Sequence, residues 1–179
     1  MAAEKSTFIN TFVSLFSDYN TMVRRMAYWL RYLNNLRAKN TDDRKTGVLL
    51  VSELRRAETR IIKLIQEEAF SQELRAISKE EYVPRYSPLR WYVPFVAPDG
   101  LLRVGGRLGQ SRESDDTKHP IVLPAKHYIT KLLMRHYHHK LLHAGPQLML
   151  NTMRLRYWPL GGRNVARHVY HQCIQCYRI

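Results

Sequence analysis

The chain has 179 residues, of which 45% are hydrophobic and 11% aromatic, and its formal net charge is +14. This composition excludes an intrinsically disordered chain, and no apolar run approaches the length needed to span a bilayer. The first residues lack the pattern of a secretory signal, so we expect an intracellular protein of the nucleus or cytoplasm, not a secreted one. Two cysteines are too few for a disulfide framework.

Residues 1–46 are predicted to be an N-terminal helical segment. Apolar residues at helical spacing predict a first helix over residues 6–16 and a strongly amphipathic second helix over residues 21–39. Residues 17–20 either interrupt this pattern or cap the second helix. The arginines of the second helix lie off its apolar stripe, which favours a packing helix with a solvated basic face. The stripe consists of Met22, Val23, Met26, Ala27, Leu30, Leu33 and Leu36.

Residues 47–118 are predicted to form a helix followed by a β-hairpin connector. Residues 40–47 are polar and predict a linker, after which Ser52 is suited to cap a second long helix. Residues 71–78 predict a shorter helix.

The character of the chain changes after this helix, because four prolines between residues 84 and 98 exclude a continuous helix. Aromatic and β-branched residues at 91–96, a turn, and apolar residues at 101–104 predict a hairpin. The glycines of residues 105–109 predict a further turn, and residues 112–118 an exposed loop.

Residues 119–179 contain all eight histidines and both cysteines. The pattern predicts an extended segment over residues 119–124. It then predicts three helices, over residues 125–141, from Pro146 to about residue 157, and over residues 163–171.

Four residues in this part have the spacing of a structural zinc site. His138 and His143 form H-x4-H, and after a long gap Cys173 and Cys176 form C-x2-C. Neutral imidazole and thiolate are good zinc ligands, and four of them complete a closed tetrahedral site. The sequence therefore predicts a zinc-stabilised three-helix bundle of the HHCC type, within a mainly α-helical chain that has one small β-hairpin.

Other interpretations of these residues are weaker. His136, His139 and His171 lie close to the predicted ligands, and we expect them to be surface or packing residues. A redox-active C-x2-C would need a βαβ context that the pattern lacks. A catalytic zinc would need an open coordination position and usually a carboxylate base, and no Asp or Glu follows Asp116.

The positive charge is concentrated in the last third of the chain. Residues 117–179 contain ten Lys and Arg and no Asp or Glu, so they hold ten of the fourteen net charges. A field of one sign on a small module attracts polyanions, and nucleic acid is the usual one; solubility, an acidic protein or membrane headgroups are the alternative explanations. The candidate phosphate contacts are Lys126, Lys131, Lys140, Arg154, Arg156, Arg163 and Arg167.

Enzyme motifs are missing from the sequence. It contains no G-x-S-x-G and no phosphate-cradling G-x-x-x-x-G-K-[ST], and the glycines of residues 105–109 do not have G-x-G-x-x-G spacing. We therefore expect no enzymatic activity and no small-molecule substrate.

Several strings of the sequence carry a family resemblance. They are SELRRAE at residues 52–58, GLLRVGGRL at 100–108, KHPIVLP at 118–124, HAG at 143–145, YWP at 157–159 and CIQC at 173–176. Through the last three strings the chain resembles the H2C2 zinc-binding domain of retroelement integrases. Through all of them, from about residue 21 to the end, it resembles the integrase N-terminal region of Bel/Pao-type LTR retrotransposon polyproteins.

The resemblance implies that His138, His143, Cys173 and Cys176 are zinc ligands, and that the domain assists multimerisation and binds the DNA ends of the element. In that family a catalytic core of the RNase H-like type follows, and its acidic triad joins element DNA to target DNA. The present sequence departs from this pattern, because it ends three residues after Cys176 and has no acid after Asp116. We therefore expect an integrase fragment without its active site. A truncated gene model, a relic and a host-retained remnant all remain open.

Two functions compete at this point. The first is a zinc-stabilised module that binds nucleic acid and assembles, without catalysis of its own. The second is a protein-interaction module in which zinc only stabilises the fold, and the helix over residues 21–39 contacts partner subunits.

Overall fold

The computed structural model describes residues 2–40, 42, 44–105 and 115–177. The predicted glycine turn beyond Gly105 and the first residues of the predicted loop at 112–118 lie outside them. The described chain is mainly α-helical, with one small four-stranded sheet. Its helices are α1 (Ala2–Ser14), α2 (Tyr19–Arg37), α3 (Val51–Ala69), α4 (Ser71–Ser78), α5 (Asp115–Lys118), α6 (Tyr128–Lys140), α7 (Pro146–Arg154), α8 (Gly162–Gln172) and α9 (Ile174–Tyr177). Its strands are β1 (Pro94–Val96), β2 (Leu102–Val104), β3 (Ile121–Leu123) and β4 (Tyr157–Pro159).

The start of α2 is set by Asp18. Its carboxylate accepts a hydrogen bond of 2.7 Å from the backbone N–H of Thr21, and this hydrogen bond lowers the pKa of Asp18. Residues 17–20 therefore contain the cap of α2, which was one of the two predicted roles for them.

The predicted cap of α3 was wrong. The helix begins at Val51, one residue before Ser52, so that Ser52 lies in the first turn. The N-terminal backbone is capped by the carboxylate of Glu53, which accepts a hydrogen bond of 2.9 Å from the N–H of Leu50. A carboxylate in the first turn is also favoured by the helix dipole, which explains why this residue outcompetes the serine hydroxyl.

Arg31 links α2 to the beginning of α3 through hydrogen bonds. Its guanidinium donates to both carboxylate oxygens of Glu53, at 2.9 and 2.5 Å, and to the carbonyl oxygens of Gly47 and Val48. The hydrogen bonds from Arg31 lower the pKa of Glu53 to about 2. This bidentate pair holds the segment before α3 against the inner side of α2.

The predicted hairpin is confirmed, and it belongs to a larger sheet. β1 and β2 are antiparallel with Phe95 opposite Arg103, and β3 adds antiparallel to β2. β4 completes the order β1-β2-β3-β4 by pairing parallel to β3, with Val122 opposite Trp158. The expectation that the helix after Pro146 reaches residue 157 was wrong, because Trp158 precedes a proline, which favours an extended conformation.

One buried amide joins α3 to the sheet. The side chain of Gln66 accepts from the N–H of Leu102 at 2.8 Å and donates to the carbonyls of Leu102 and Val122 at 2.9 and 2.8 Å. Gln66 is 1% exposed, so these three hydrogen bonds satisfy backbone groups that water does not reach.

The main hydrophobic cluster joins the N-terminal helices to the C-terminal ones. It contains Ile9 of α1, Met22 of α2, Ile61 of α3, Leu132 of α6 and Met149 of α7, among other buried residues. A smaller cluster under the sheet is built around Phe70, Leu89, Leu102, Val104, Val122 and Leu160. All three predicted segments of the chain therefore contribute to the main cluster.

A polar network lies beside this cluster. The carboxylate of Glu58 on α3 accepts hydrogen bonds from the hydroxyls of Tyr19 and Tyr157, at 2.6 and 2.7 Å, and from the guanidinium of Arg156 at 2.5 Å. The Glu58 carboxylate therefore connects α2, α3 and β4, which are separate in the sequence.

None of the helices in the described part of the chain is both long and apolar enough to cross a bilayer.

Candidate metal centre

The first pair of predicted ligands lies at the end of α6. His138 occupies the last turn of the helix and is 1% exposed. After the helix, Leu142 and His143 both have left-handed backbone, with φ of 52° and 65°. Residues other than glycine rarely adopt this backbone conformation. It turns the chain back, so that the N–H of His143 donates to the carbonyl of His138 at 2.9 Å and both imidazoles face the same point.

The second pair lies at the junction of α8 and α9. Cys173 is the residue that ends α8, and Cys176 lies in the single turn of α9 that follows. Backbone N–H groups of this turn, first that of Cys176 and then that of Gln175, lower the pKa of the Cys173 thiol. Burial raises the pKa of Cys176. The turn therefore favours the thiolate form at Cys173, which is the form that binds metals.

The four ligand atoms converge. Nδ1 of His143 lies 3.2 Å from Nε2 of His138 and 3.2 Å from Sγ of Cys173. Sγ of Cys176 lies 3.4 Å from Nε2 of His138 and 3.9 Å from Nδ1 of His143, and all four atoms lie within 4.8 Å of one another. Zinc–nitrogen and zinc–sulfur bonds of about 2.0 to 2.3 Å correspond to tetrahedral edges of about 3.3 to 3.8 Å, so the cluster has the size of a four-coordinate metal site.

A hydrogen bond outside the cluster fixes the tautomer of the His138 ring. Its Nδ1 lies 3.2 Å from the carbonyl oxygen of Ala144. A carbonyl oxygen only accepts, so Nδ1 carries the proton and Nε2 presents a lone pair to the other three ligands. Burial also lowers the pKa of His138, which favours the neutral ring that a metal requires.

The cluster is enclosed on one side and open on the other. His138 and Cys176 are buried, whereas His143 and Cys173 are half-buried. The open side forms a groove whose other lining residues are Arg135, His139, Val169, Gln172, Ile174 and Gln175. No carboxylate lines this groove among the described residues, so the ligand set for a cation consists of two imidazoles and two sulfurs.

The chain matches no family model, no curated protein and no solved structure. His138, His143, Cys173 and Cys176 lie close together and can bind a metal ion.

The remaining histidines have other contacts. His127 caps α6 by accepting from the N–H of Ile129. The ring of His136 packs on Tyr19, and that of His119 meets Phe95 edge-on. His139, His168 and His171 are exposed.

The seven basic residues predicted to contact nucleic acid have different environments. Lys126, Lys140, Arg163 and Arg167 are exposed. Lys131 and Arg154 are half-buried, and the guanidinium of Arg154 lies 4.7 Å from the ring centroid of Trp158. Arg156 is paired with Glu58 in the polar network. The exposed set includes Arg163 and Arg167, which lie one turn apart on the same face of α8.

Two features of the centre were missed by reasoning from the sequence. The carbonyl of Ala144 is a backbone group, and no sequence pattern marks it. Arg135 lines the groove and lies three residues before His138 on α6. Residues at this spacing share one face of a helix, and this pattern would have identified Arg135.

Proposed function

We propose that this chain is the zinc-binding, nucleic-acid-binding and assembly module of a retrotransposon integrase of the Bel/Pao type, without catalytic activity of its own. The observation that carries this proposal is the convergence of His138, His143, Cys173 and Cys176 within 4.8 Å. It brings together residues up to 38 positions apart in the order that the sequence resemblance requires.

The composition of the ligand set supports zinc as the ion. Two sulfurs and two imidazole nitrogens in a tetrahedral arrangement suit Zn²⁺, whereas Mg²⁺ and Ca²⁺ prefer oxygen ligands in larger coordination shells. Four protein ligands leave no open position, so the proposed role of the ion is structural.

Zinc at this point would join the end of α6 to the junction of α8 and α9. With α7, these helices span about 50 residues, too few to bury a large core alone, and their buried side chains share the main cluster with α1, α2 and α3. The free energy of metal binding would then contribute directly to the stability of the unit.

The proposed ligand of the folded unit is DNA, either the ends of the element or duplex without sequence preference. Support comes from the absence of acids after Asp116 and from the exposed arginines Arg163 and Arg167 on one face of α8. Phosphate contacts of this kind predict binding that weakens steeply with salt and depends little on sequence. Catalysis is not part of the proposal, because no carboxylate in the described part of the chain lines the metal centre and four protein ligands would leave no open coordination position.

The first test is the zinc content of the purified, reduced protein by elemental mass spectrometry. We expect one zinc per chain, and loss of zinc together with part of the helical circular dichroism in Cys176→Ser. The matched control is His171→Ala, which removes an exposed imidazole two residues before Cys173 and should retain the full zinc content. Zinc-free protein with an intact fold, or zinc loss in the control alone, would overturn the assignment of the site.

A second test replaces zinc by Co²⁺ and records the visible spectrum. Tetrahedral cobalt with two thiolates should show intense ligand-field bands and a sulfur charge-transfer band, and Cys173→Ser should weaken the charge-transfer band. An octahedral spectrum would contradict the geometry. DNA binding and assembly are then measured on the zinc-loaded protein by retardation at two salt concentrations and by sedimentation.

A further inference from the structure

Helix α2 carries apolar side chains on both of its faces. Its inner face packs into the main cluster through Met22, Val23, Met26 and Ala27, as the sequence predicts. The predicted solvated basic face is present in part, since Arg24, Arg25 and Arg37 are exposed, but a stripe of apolar and aromatic side chains shares the solvent side with them. This outer stripe consists of Tyr28, Trp29, Tyr32, Leu33 and Leu36, which are exposed by 47%, 54%, 63%, 42% and 63%.

The outer stripe is continuous and extends onto α1. Tyr28, Tyr32 and Leu36 follow one another at intervals of four residues, so they form one row along the helix. Beside this row, the ring of Trp29 lies 5.9 Å from that of Phe8, which is itself 45% exposed and stacks on Phe12. Contiguous exposed apolar patches of this kind mark binding surfaces.

The charged side chains of α2 itself all have one sign. α2 contains four arginines and no Asp or Glu. Arg31 is buried on the inner side in its pair with Glu53, whereas Arg24, Arg25 and Arg37 are exposed near the two ends of the outer stripe. A second copy of α2 packed on this surface would bring these arginines together. Charge complementarity therefore favours an acidic partner.

The side chains of the outer stripe also indicate the kind of partner. Tyr, Trp and Arg are the residues that contribute most to protein–protein binding energy. Single-stranded nucleic acid would stack on the aromatic rings and leave Leu33 and Leu36 uncovered, whereas the apolar side of a helix can cover both types of side chain.

We propose that the outer stripe of α2 binds an acidic amphipathic helix of a partner protein. The apolar side chains of the partner pack on Trp29, Tyr32 and Leu36, and its Asp and Glu lie beside the exposed arginines. This binding surface lies on a different part of the molecule from the metal centre and does not depend on the proposed role in DNA binding.

The test uses the zinc-loaded full chain and two synthetic helical peptides, measured by fluorescence anisotropy. One peptide has Leu at heptad positions a and d, Glu at e and g and Ala elsewhere; the second has Lys in place of Glu. We expect the acidic peptide to bind at least about tenfold more tightly than the basic one. Tyr32→Ala/Leu36→Ala should weaken this binding by about tenfold or more, whereas Leu148→Ala, which removes a side chain of similar exposure from α7, should leave it unchanged.

A charge exchange makes the test specific. In Arg24→Glu/Arg25→Glu the preference should reverse, so that the basic peptide binds more tightly than the acidic one. Circular dichroism establishes that each variant is folded. Equal binding of both peptides, or no binding of either, overturns the proposal.

Other occupants of the outer stripe give distinct results. A fall in sedimentation mass of the chain in Tyr32→Ala/Leu36→Ala would show that a second copy covers the surface. Binding of a single-stranded oligonucleotide or of phosphatidylserine vesicles that exceeds peptide binding, and that the same variant abolishes, would replace the acidic helix by nucleic acid or lipid. Loss of zinc or of duplex DNA binding would leave the peptide result unaffected, so the two proposals fail separately.

Discussion

Nδ1 of His143 lies 3.2 Å from Nε2 of His138, because the two residues before Ala144 have left-handed backbone. The conformation brings the second imidazole back over the end of α6. It is unfavourable for Leu142, a residue whose side chain is 89% exposed and makes little contact that offsets the strain.

Leu142→Gly is therefore expected to stabilise the protein. Glycine removes the steric cost of the left-handed conformation but loses more backbone entropy on folding, which leaves a net gain of about 0.5–1 kcal/mol in the free energy of unfolding. Denaturant titration of the zinc-loaded protein measures it. The control, Leu148→Gly in the right-handed helix α7, should instead destabilise by about 1 kcal/mol. A destabilised Leu142→Gly would contradict the described turn.

The pair of Arg31 and Glu53 should make stability depend on pH in the acid range. The pKa of Glu53 in the folded protein is about 2, below its ordinary value of 4.5. The contribution of the pair is therefore complete above about pH 5 and is lost as the pH falls from there towards 2. In Glu53→Gln the denaturation midpoint should be lower at pH 7, and the difference from the native protein should shrink at pH 3. Glu67→Gln, at an exposed position of α3, should show neither effect.

Gln66 is expected to be a critical polar residue of the core. In Gln66→Leu, the N–H of Leu102 and the carbonyls of Leu102 and Val122 lose their buried partner, at a cost of about 2–4 kcal/mol. Thermal or denaturant unfolding measures this loss in the free energy of unfolding. The comparison variant is Gln147→Leu, on the exposed side of α7, and its free energy of unfolding should change by less than about 0.5 kcal/mol.

The arginines of the C-terminal part should separate into two classes. Arg163→Ala/Arg167→Ala should reduce the slope of log affinity for DNA against log salt by about two, with little change in stability. Arg156→Ala should leave the salt slope unchanged and lower the free energy of unfolding, because it removes the ion-pair partner of the half-buried Glu58 carboxylate. The measurements are DNA retardation over a salt series and denaturant unfolding. A salt slope that changes only in the Arg156 variant would exclude the α8 face as the phosphate contact.

Local patterns predicted much of the chain because they depend on neighbouring residues. The helix predicted over residues 71–78 is α4, Ser71–Ser78, and Pro146 begins α7 as expected. β1 and β2 lie within the predicted hairpin. By contrast, β4 is a three-residue strand that pairs with β3, and apolar spacing alone extended the predicted helix to about residue 157 although the proline after Trp158 disfavours helix there. Glu53 at the start of α3 also has a distant partner, Arg31, which donates to both of its carboxylate oxygens.

The sequence by itself determined which residues form the candidate metal centre, because two imidazoles within five residues and two thiols within three can reach one ion from short stretches of backbone. It also determined the acid-free character of the last third. Only the tertiary structure decided which basic side chains of this part have an acidic partner, since Arg156 is paired with the carboxylate of Glu58, 98 residues away. It also decided which apolar side chains of α2 are buried, because helical periodicity identifies apolar positions but not which of them other elements cover. For this reason Leu33 and Leu36 belong to the predicted stripe and yet lie on the surface.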